Sequence, residues 1–198
     1  SHNSVIHITE NDSIIVFSTL GGGISIMNKE TLKFEKVYDA SSGLSSNYIY
    51  STFFDNEGKL WIAGDGAPPQ FLVDNDIKNL PLSDSLSMKG VYGYVQDLQG
   101  DLWMNTTNHG SIRFSDNSFY YINEMKGLRS NDVKSLIVLN NNELIFVNDK
   151  GVDSYDPAKN CFCYMNLNFA SNNIHANLNA FTMDHYGMVR IHSLLSQK

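Results

Sequence analysis

The chain has 198 residues, 42% hydrophobic and 18% charged, the composition of a folded domain with a sizeable core, which excludes disordered and fibrous classes. Its net charge of −7 and three scattered arginines, Arg113, Arg129 and Arg190, weigh against nucleic acid or an anionic membrane as partner. No apolar run reaches the roughly 18 to 20 residues that cross a bilayer, and the N-terminus carries no basic and apolar leader, so direct membrane insertion is not expected. The abrupt start at Ser1 and the stop inside a repeat suggest a piece of a longer protein.

Five related stretches follow one another along the chain. They are TENDSIIV (9–16), DNEGKLWI (55–62), DLQGDLWM (97–104), LNNNELIF (139–146) and DHYGMVRI (184–191). Aligned on Ile14, Leu60, Leu102, Leu144 and Val189, they recur at steps of 46, 42, 42 and 45 residues. A second landmark moves in step: GLSSN (43–47) and GLRSN (127–131) each begin 17 residues before their anchor, with SLSMK (85–89) in the slot between them. After the anchors come GGGISIMN (21–28), HGSIRFSD (109–116) and KGVDSYDP (150–157), then the aromatic runs LKFEKVY (32–38), SFYYI (118–122) and CFCYM (161–165).

Each unit therefore reads as four short runs of period two separated by Gly, Asn, Asp and Ser clusters, an antiparallel four-stranded sheet. A unit length in the low forties is that of a propeller blade. In the run before each anchor one column is uniformly small: Ser51, Gly93, Ser135 and Ala180. Radially packed sheets converge at their innermost strands, so this run is expected to line a central channel. Trp61 and Trp103 are expected to pack between adjacent sheets. The expected fold is an all-β β-propeller fragment of about four and a half blades, with units near 2–47, 48–89, 90–131, 132–176 and a partial unit 177–198. Ile174, Leu178, Phe181 and His185 fall near helical spacing, but Gly187 at the turn position favours strands there. A two-sheet sandwich, the competing fold, predicts neither equal steps nor the small column.

G-L-S-S-N, then D-x-x-G-x-L-W-I, then a glycine and a short strand ending in D-P, resembles the regulator-propeller repeats in sensor regions of bacterial hybrid two-component systems. Residues 43–62, 97–114 and 127–157 carry the resemblance, the last with Ile145 in place of tryptophan. It implies seven-bladed propellers ahead of an immunoglobulin-like domain, a membrane span and a histidine kinase, in a periplasmic sensing region that often recognises oligosaccharides. The kinase and DNA-binding parts are not in this sequence. The second unit departs from the pattern with GAPPQ (66–70), where Pro68 and Pro69 cannot donate ladder hydrogen bonds and a distinct loop is expected.

No catalytic constellation stands out. Arg129 precedes the first strand of its unit, Arg113 falls in a third strand and Arg190 in a second, which argues against the converging arginines of a sialidase-like site, and the recurring Asp55, Asp97 and Asp184 read as turn-formers because they repeat. Cys161 and Cys163 lack the companion ligands of a zinc site and are expected to be buried free thiols. No metal or cofactor is expected. In a propeller the connection from the fourth strand of one sheet to the first of the next and the connection from the second strand to the third share one face, which makes Asn47, Asp65, Asn105, His109, Asn131 and Asp149 the candidate ligand-binding residues, with Trp61 a candidate for sugar stacking. The alternative for the two aligned asparagines is that they cap turns. The expected role is a non-catalytic extracytoplasmic sensor module that binds or relays an oligosaccharide signal. A propeller-fold carbohydrate-active enzyme and a protein-binding scaffold are the alternatives. Expected partners are a saccharide, neighbouring blades or domains of the parent sensor, and further copies through open blade edges.

Overall fold

The computed structural model describes residues 4–81, 90–165, 174–183 and 189–195, with side chains described as far as Tyr164. SLSMK, Asp184, His185 and Gly187 lie outside these residues, as do the side chains of Ala180 and Arg190. The chain forms two compact units, residues 1–94 and 95–198.

In the first unit, β1 (Val5–Glu10), β2 (Ile14–Thr19), β3 (Ile24–Asn28) and β4 (Phe34–Tyr38) form one antiparallel sheet in sequence order. The next sheet repeats that order with β5 (Ile49–Phe54), β6 (Leu60–Gly64), β7 (Gln70–Val73) and β8 (Asp76–Asn79). The third comprises β9 (Val91–Gln96), which spans the boundary between the units, β10 (Leu102–Thr106), β11 (Ser111–Ser115) and β12 (Ser118–Ile122). In the second unit follow β13 (Val133–Val138), β14 (Leu144–Asn148), β15 (Gly151–Asp156) and β16 (Cys161–Met165), and then the antiparallel pair β17 (Ile174–Met183) and β18 (Val189–Leu195). Ile174, Leu178 and Phe181, which fall near helical spacing, thus lie in a strand.

Register refines the sequence alignment in the first copy. Leu60 lies opposite Phe54 and Leu144 opposite Val138, and the residue in that place in the first sheet is Ile15, opposite Glu10, not Ile14. Val16 then corresponds to Trp61. The correspondence has a packing consequence: Val16, Ile24, Ile26 and Tyr38 bury one face of the first sheet against Ile49, Leu60 and Ile62 of the second. Trp61 plays the same part further along, 3% exposed and 5.6 Å from the ring of Tyr94. In the second unit Trp103 meets Phe146 edge-on at 6.3 Å between its two sheets.

The small column is buried, as its role requires. Ser51 is 3% and Ser135 4% exposed, and Ser51 Oγ donates to the carbonyl of Tyr92 at 3.0 Å. Backbone of the next innermost strand approaches so closely that a larger side chain would have no room.

The recurring aspartates are built into their turns. Asp55 Oδ1 accepts from the N–H groups of Glu57 and Lys59 at 3.0 and 2.9 Å, and Oδ2 from Trp61 Nε1 at 2.8 Å. Asp97 repeats this with Gln99 and Asp101, at 3.0 and 2.9 Å, and with Trp103 Nε1 at 2.9 Å. One carboxylate therefore closes the hairpin and fixes the indole. Where Ile145 replaces the tryptophan, Leu139 replaces the aspartate, so both halves of the pair are lost together.

The cysteines correct one expectation. Cys161 and Cys163 are free but exposed. Phe162 between them takes the inward face of β16 and packs, tilted, on the Tyr155 ring at 4.8 Å, which turns both thiols outward.

His7 couples the first two sheets to pH. Its Nδ1 accepts from the Thr52 N–H at 3.3 Å, which requires the neutral ring, and burial lowers its pKa from 6.5. The unfolded chain then binds a proton that the folded chain refuses. This contribution is complete above about pH 6.5 and is lost as pH falls through the lowered folded-state value. Tm should drop between about pH 7.5 and about pH 5.5, and His7→Asn, whose Oδ1 can accept the same bond, should flatten that slope. An unaltered slope in the variant would place its origin in other groups.

Candidate functional site

The connections that hold the candidate residues are built alike in both units. Each opens with a short 3-10 turn, Ala40–Ser42 or Glu124–Lys126, that ends on a left-handed glycine, Gly43 at φ 103° or Gly127 at φ 114°. The landmark asparagine then folds back on the turn: Asn47 Oδ1 accepts from Ala40 N–H at 2.7 Å and Asn131 Oδ1 from Glu124 N–H at 2.9 Å. Their carbonyls reach the neighbouring hairpin, Asn47 taking Gly21 and Gly23 N–H at 2.9 Å and Asn131 taking Gly110 N–H at 2.8 Å. These side chains act as turn locks.

A buried polar side chain from the third strand of each sheet secures the middle of the same loop. Gln70 Oε1 accepts from Ser45 N–H at 2.8 Å. At the matching register Asp153 accepts from Arg129 N–H at 3.0 Å, from the Arg129 guanidinium and from Asn148 Nδ2 at 2.9 Å. Asp153 and Asn148 are both 0% exposed. Gly151, at φ 134°, leaves room for the guanidinium, since a Cβ there would lie 2.8 Å from Arg129 Nη2.

In the first unit GLSSN and the 65–69 loop lie side by side, with Asp65 N–H donating to the Tyr48 carbonyl at 2.9 Å. Asp65 is exposed, and its carboxylate sits against the Tyr50 phenol. Burial first, then that carboxylate as acceptor and as charge, raises the Tyr50 pKa, so the hydroxyl stays protonated at neutral pH. The rings of Tyr50 and Tyr92 are 5.5 Å apart. Trp61 has no open face: its ring lies between Phe71, at 5.0 Å, and Tyr94, under Lys59.

In the second unit GLRSN meets both neighbouring loops. Asn105, 4% exposed, donates from Nδ2 to the Val133 carbonyl at 3.3 Å. His109 lies close by in sequence, with Nδ1 buried and without a hydrogen-bond partner among the described residues. Asp149 is exposed on the β14–β15 turn. Among the described residues no group of three or more His, Cys, Asp and Glu could hold a metal.

Tyr50 escapes a reading by columns because of backbone geometry. The register shifts between Ile49 and Ser51, which makes Tyr50 the extra residue of a β-bulge. Bulges re-aim side chains. Ile6 and Lys134 occupy the same bulge position in β1 and β13, so the signal was a column of Ile, Tyr, Tyr and Lys just ahead of the small one.

Successive four-stranded antiparallel sheets, joined alike and packed through their innermost strands, define a β-propeller. Within it, residues 43–66 match the model of the two component regulator propeller repeat. Among solved structures the chain is similar to the extracellular domain of the hybrid two component system BT3049 from B. thetaiotaomicron, with 21% identity and a TM-score of 0.79, over 93% of this chain and 26% of that one. It is similar as well to the extracellular domain of the hybrid two component system BT4673 from the same organism, at 18% identity and TM-score 0.77, over 96% of this chain and 28% of that one. Virginiamycin B lyase from Staphylococcus aureus shares the fold at 14% identity and TM-score 0.71, over 96% of this chain and 63% of the lyase. The chain thus spans about a quarter of the first two proteins. No curated protein matches it. Among the described residues no helix is long and apolar enough to cross a membrane.

Proposed function

We propose that the chain is a non-catalytic, extracytoplasmic sensor module of a hybrid two-component system, and that it binds an oligosaccharide where Asp65 meets Tyr50 and Tyr92. The carrying observation is that cluster: an exposed carboxylate beside a phenol held protonated, flanked by a second aromatic ring. Carboxylate and phenol supply acceptor and donor to sugar hydroxyls, and the rings supply an apolar platform for a pyranose face. The repeat match at 43–66 and the likeness to extracellular domains of two-component systems support the sensing role. Asn47 and Asn131 contribute by holding the loops, and Asp149 and His109 remain candidate contacts in the second unit.

The first sheet supports packing against a neighbouring blade of a parent protein. Ile8 is 56% exposed, while Thr52, at the matching register, is 2% exposed beneath the first sheet.

Calorimetry with a panel of neutral oligosaccharides tests the reading. At least one should bind, and Asp65→Asn should weaken it roughly tenfold by removing a charged acceptor. Turnover of the panel would favour a carbohydrate-active propeller enzyme, and capture of a protein partner with no saccharide effect on Tm would favour a scaffold.

A further inference from the structure

In the second unit the packing between the β9–β12 and β13–β16 sheets opens into a cleft of about 430 Å³. Trp103 forms part of its lining, with Arg113 and Tyr120 contributed by one sheet and Tyr155 and Phe162 by the other. Lys126, which is exposed, and Asn160 complete it. Two cations and four aromatic rings thus gather in one cleft of a chain whose net charge is −7.

Arg113 is the unusual member. Its guanidinium lies 4.6 Å from the ring of Tyr120 and 5.9 Å from that of Trp103. Its nearest carboxylate, Asp101, is 3.7 Å from Nη1, beyond a hydrogen bond. Its Nε is buried without a partner among the described residues. The charge is therefore incompletely answered.

Comparison with the first unit separates this from a merely structural cation over an indole. There Phe71 pairs with Trp61 at the register where Arg113 pairs with Trp103. The cation over Trp61 is Lys59, 5.5 Å from its ring, reaching from the hairpin turn. At the Lys59 position the later copy has Asp101. A turn lysine is enough to cover the indole. Moving the cation to β11 instead places a planar, permanently charged group in the cleft beside the Tyr155 and Phe162 rings. Tyr155 also donates to Asn160 Oδ1 at 2.8 Å, which fixes the carboxamide.

We propose that this cleft is a binding site for an anionic pyranose, a sugar ring that bears a carboxylate or a sulfate. Arg113 and Lys126 take the acid group, the aromatic wall takes the apolar face of the ring, and Asn160 Nδ2 donates to a hydroxyl. A volume of about 430 Å³ accommodates one such ring with part of a neighbour. The site is independent of the Tyr50 cluster.

Titration of the whole chain with trigalacturonate, galactose sulfate and maltotriose tests this by calorimetry and tryptophan emission, Trp103 being one of only two tryptophans. At least one of the anionic sugars should bind, weaken with added salt and perturb the emission, and the two acids show which charge is preferred. Arg113→Gln and, separately, Lys126→Gln should each weaken that binding roughly tenfold. Lys126 is exposed, so its variant keeps the test open if Arg113→Gln does not fold. Asp65→Asn should leave anionic binding unchanged, which separates failure here from failure at the Tyr50 cluster. Binding by neither acid, binding unchanged in both variants, or loss of it in Asp65→Asn alone would overturn the proposal.

Discussion

Asp153→Ala is expected to destabilise the protein by about 3–5 kcal/mol, the cost of breaking a buried ion pair from one side. Asp153 is 0% exposed and is the acceptor for Arg129 at both its backbone N–H and its guanidinium. Its loss takes the carboxylate from a half-buried guanidinium that keeps its bond to the Val152 carbonyl, and takes the acceptor from the Arg129 amide and Asn148 Nδ2. The first unit shows what the slot needs at minimum, since Gln70 holds the equivalent loop with neutral hydrogen bonds alone, accepting from Ser45 N–H and donating to the Gly43 carbonyl. The double variant Arg129→Ser/Asp153→Gln transplants that arrangement and should recover most of the loss, because it removes the stranded charge as well as its partner. Urea unfolding of the two variants reads the difference. If the double variant is no more stable than Asp153→Ala, the charge is not what makes Asp153 costly to remove.

The same comparison shows what the sequence could reveal. The hairpin motif was legible because its chemistry is local: Asp97, Gly100 and Trp103 act within one turn and recur in the copy before. The small column was legible because a steric demand repeated in β5, β9 and β13 leaves few permitted residues. The Arg129–Asp153 pair was not, since its members lie far apart in sequence and a neutral Ser45–Gln70 pair fills the same slots. The misplaced first anchor has a simple cause. Ile14 and Ile15 are equally apolar, and only the ladder opposite β1 distinguishes them. In CFCYM alternation identifies two faces without saying which is inward, and Phe162 outcompetes the smaller thiols for the core. Of the candidate site, the loops were predictable from the repeat, but Tyr50 is presented by a bulge that the column Ile, Tyr, Tyr and Lys does not by itself announce.

Asp97→Ala should cost about 2–4 kcal/mol, since one buried carboxylate supplies two turn amides and an indole, and hydrogen bonds to charged groups contribute about 1.5–3 kcal/mol each before compensation by water. Asp97 is 4% exposed, so little water can replace it. Asp55 makes the same three bonds but is only half-buried, and Asp55→Ala should therefore cost less. A double-mutant cycle isolates the indole bond. Trp103→Phe strands Oδ2 of a buried carboxylate, while in the Asp97→Ala background the same change removes no hydrogen bond, so the pair should show about 1–2 kcal/mol of coupling. The fourth copy, with Leu139 and Ile145, already shows that the turn survives when both partners are replaced together. Additive costs in the cycle would mean that the indole is held by packing against Phe146 alone, and that the carboxylate serves only the turn.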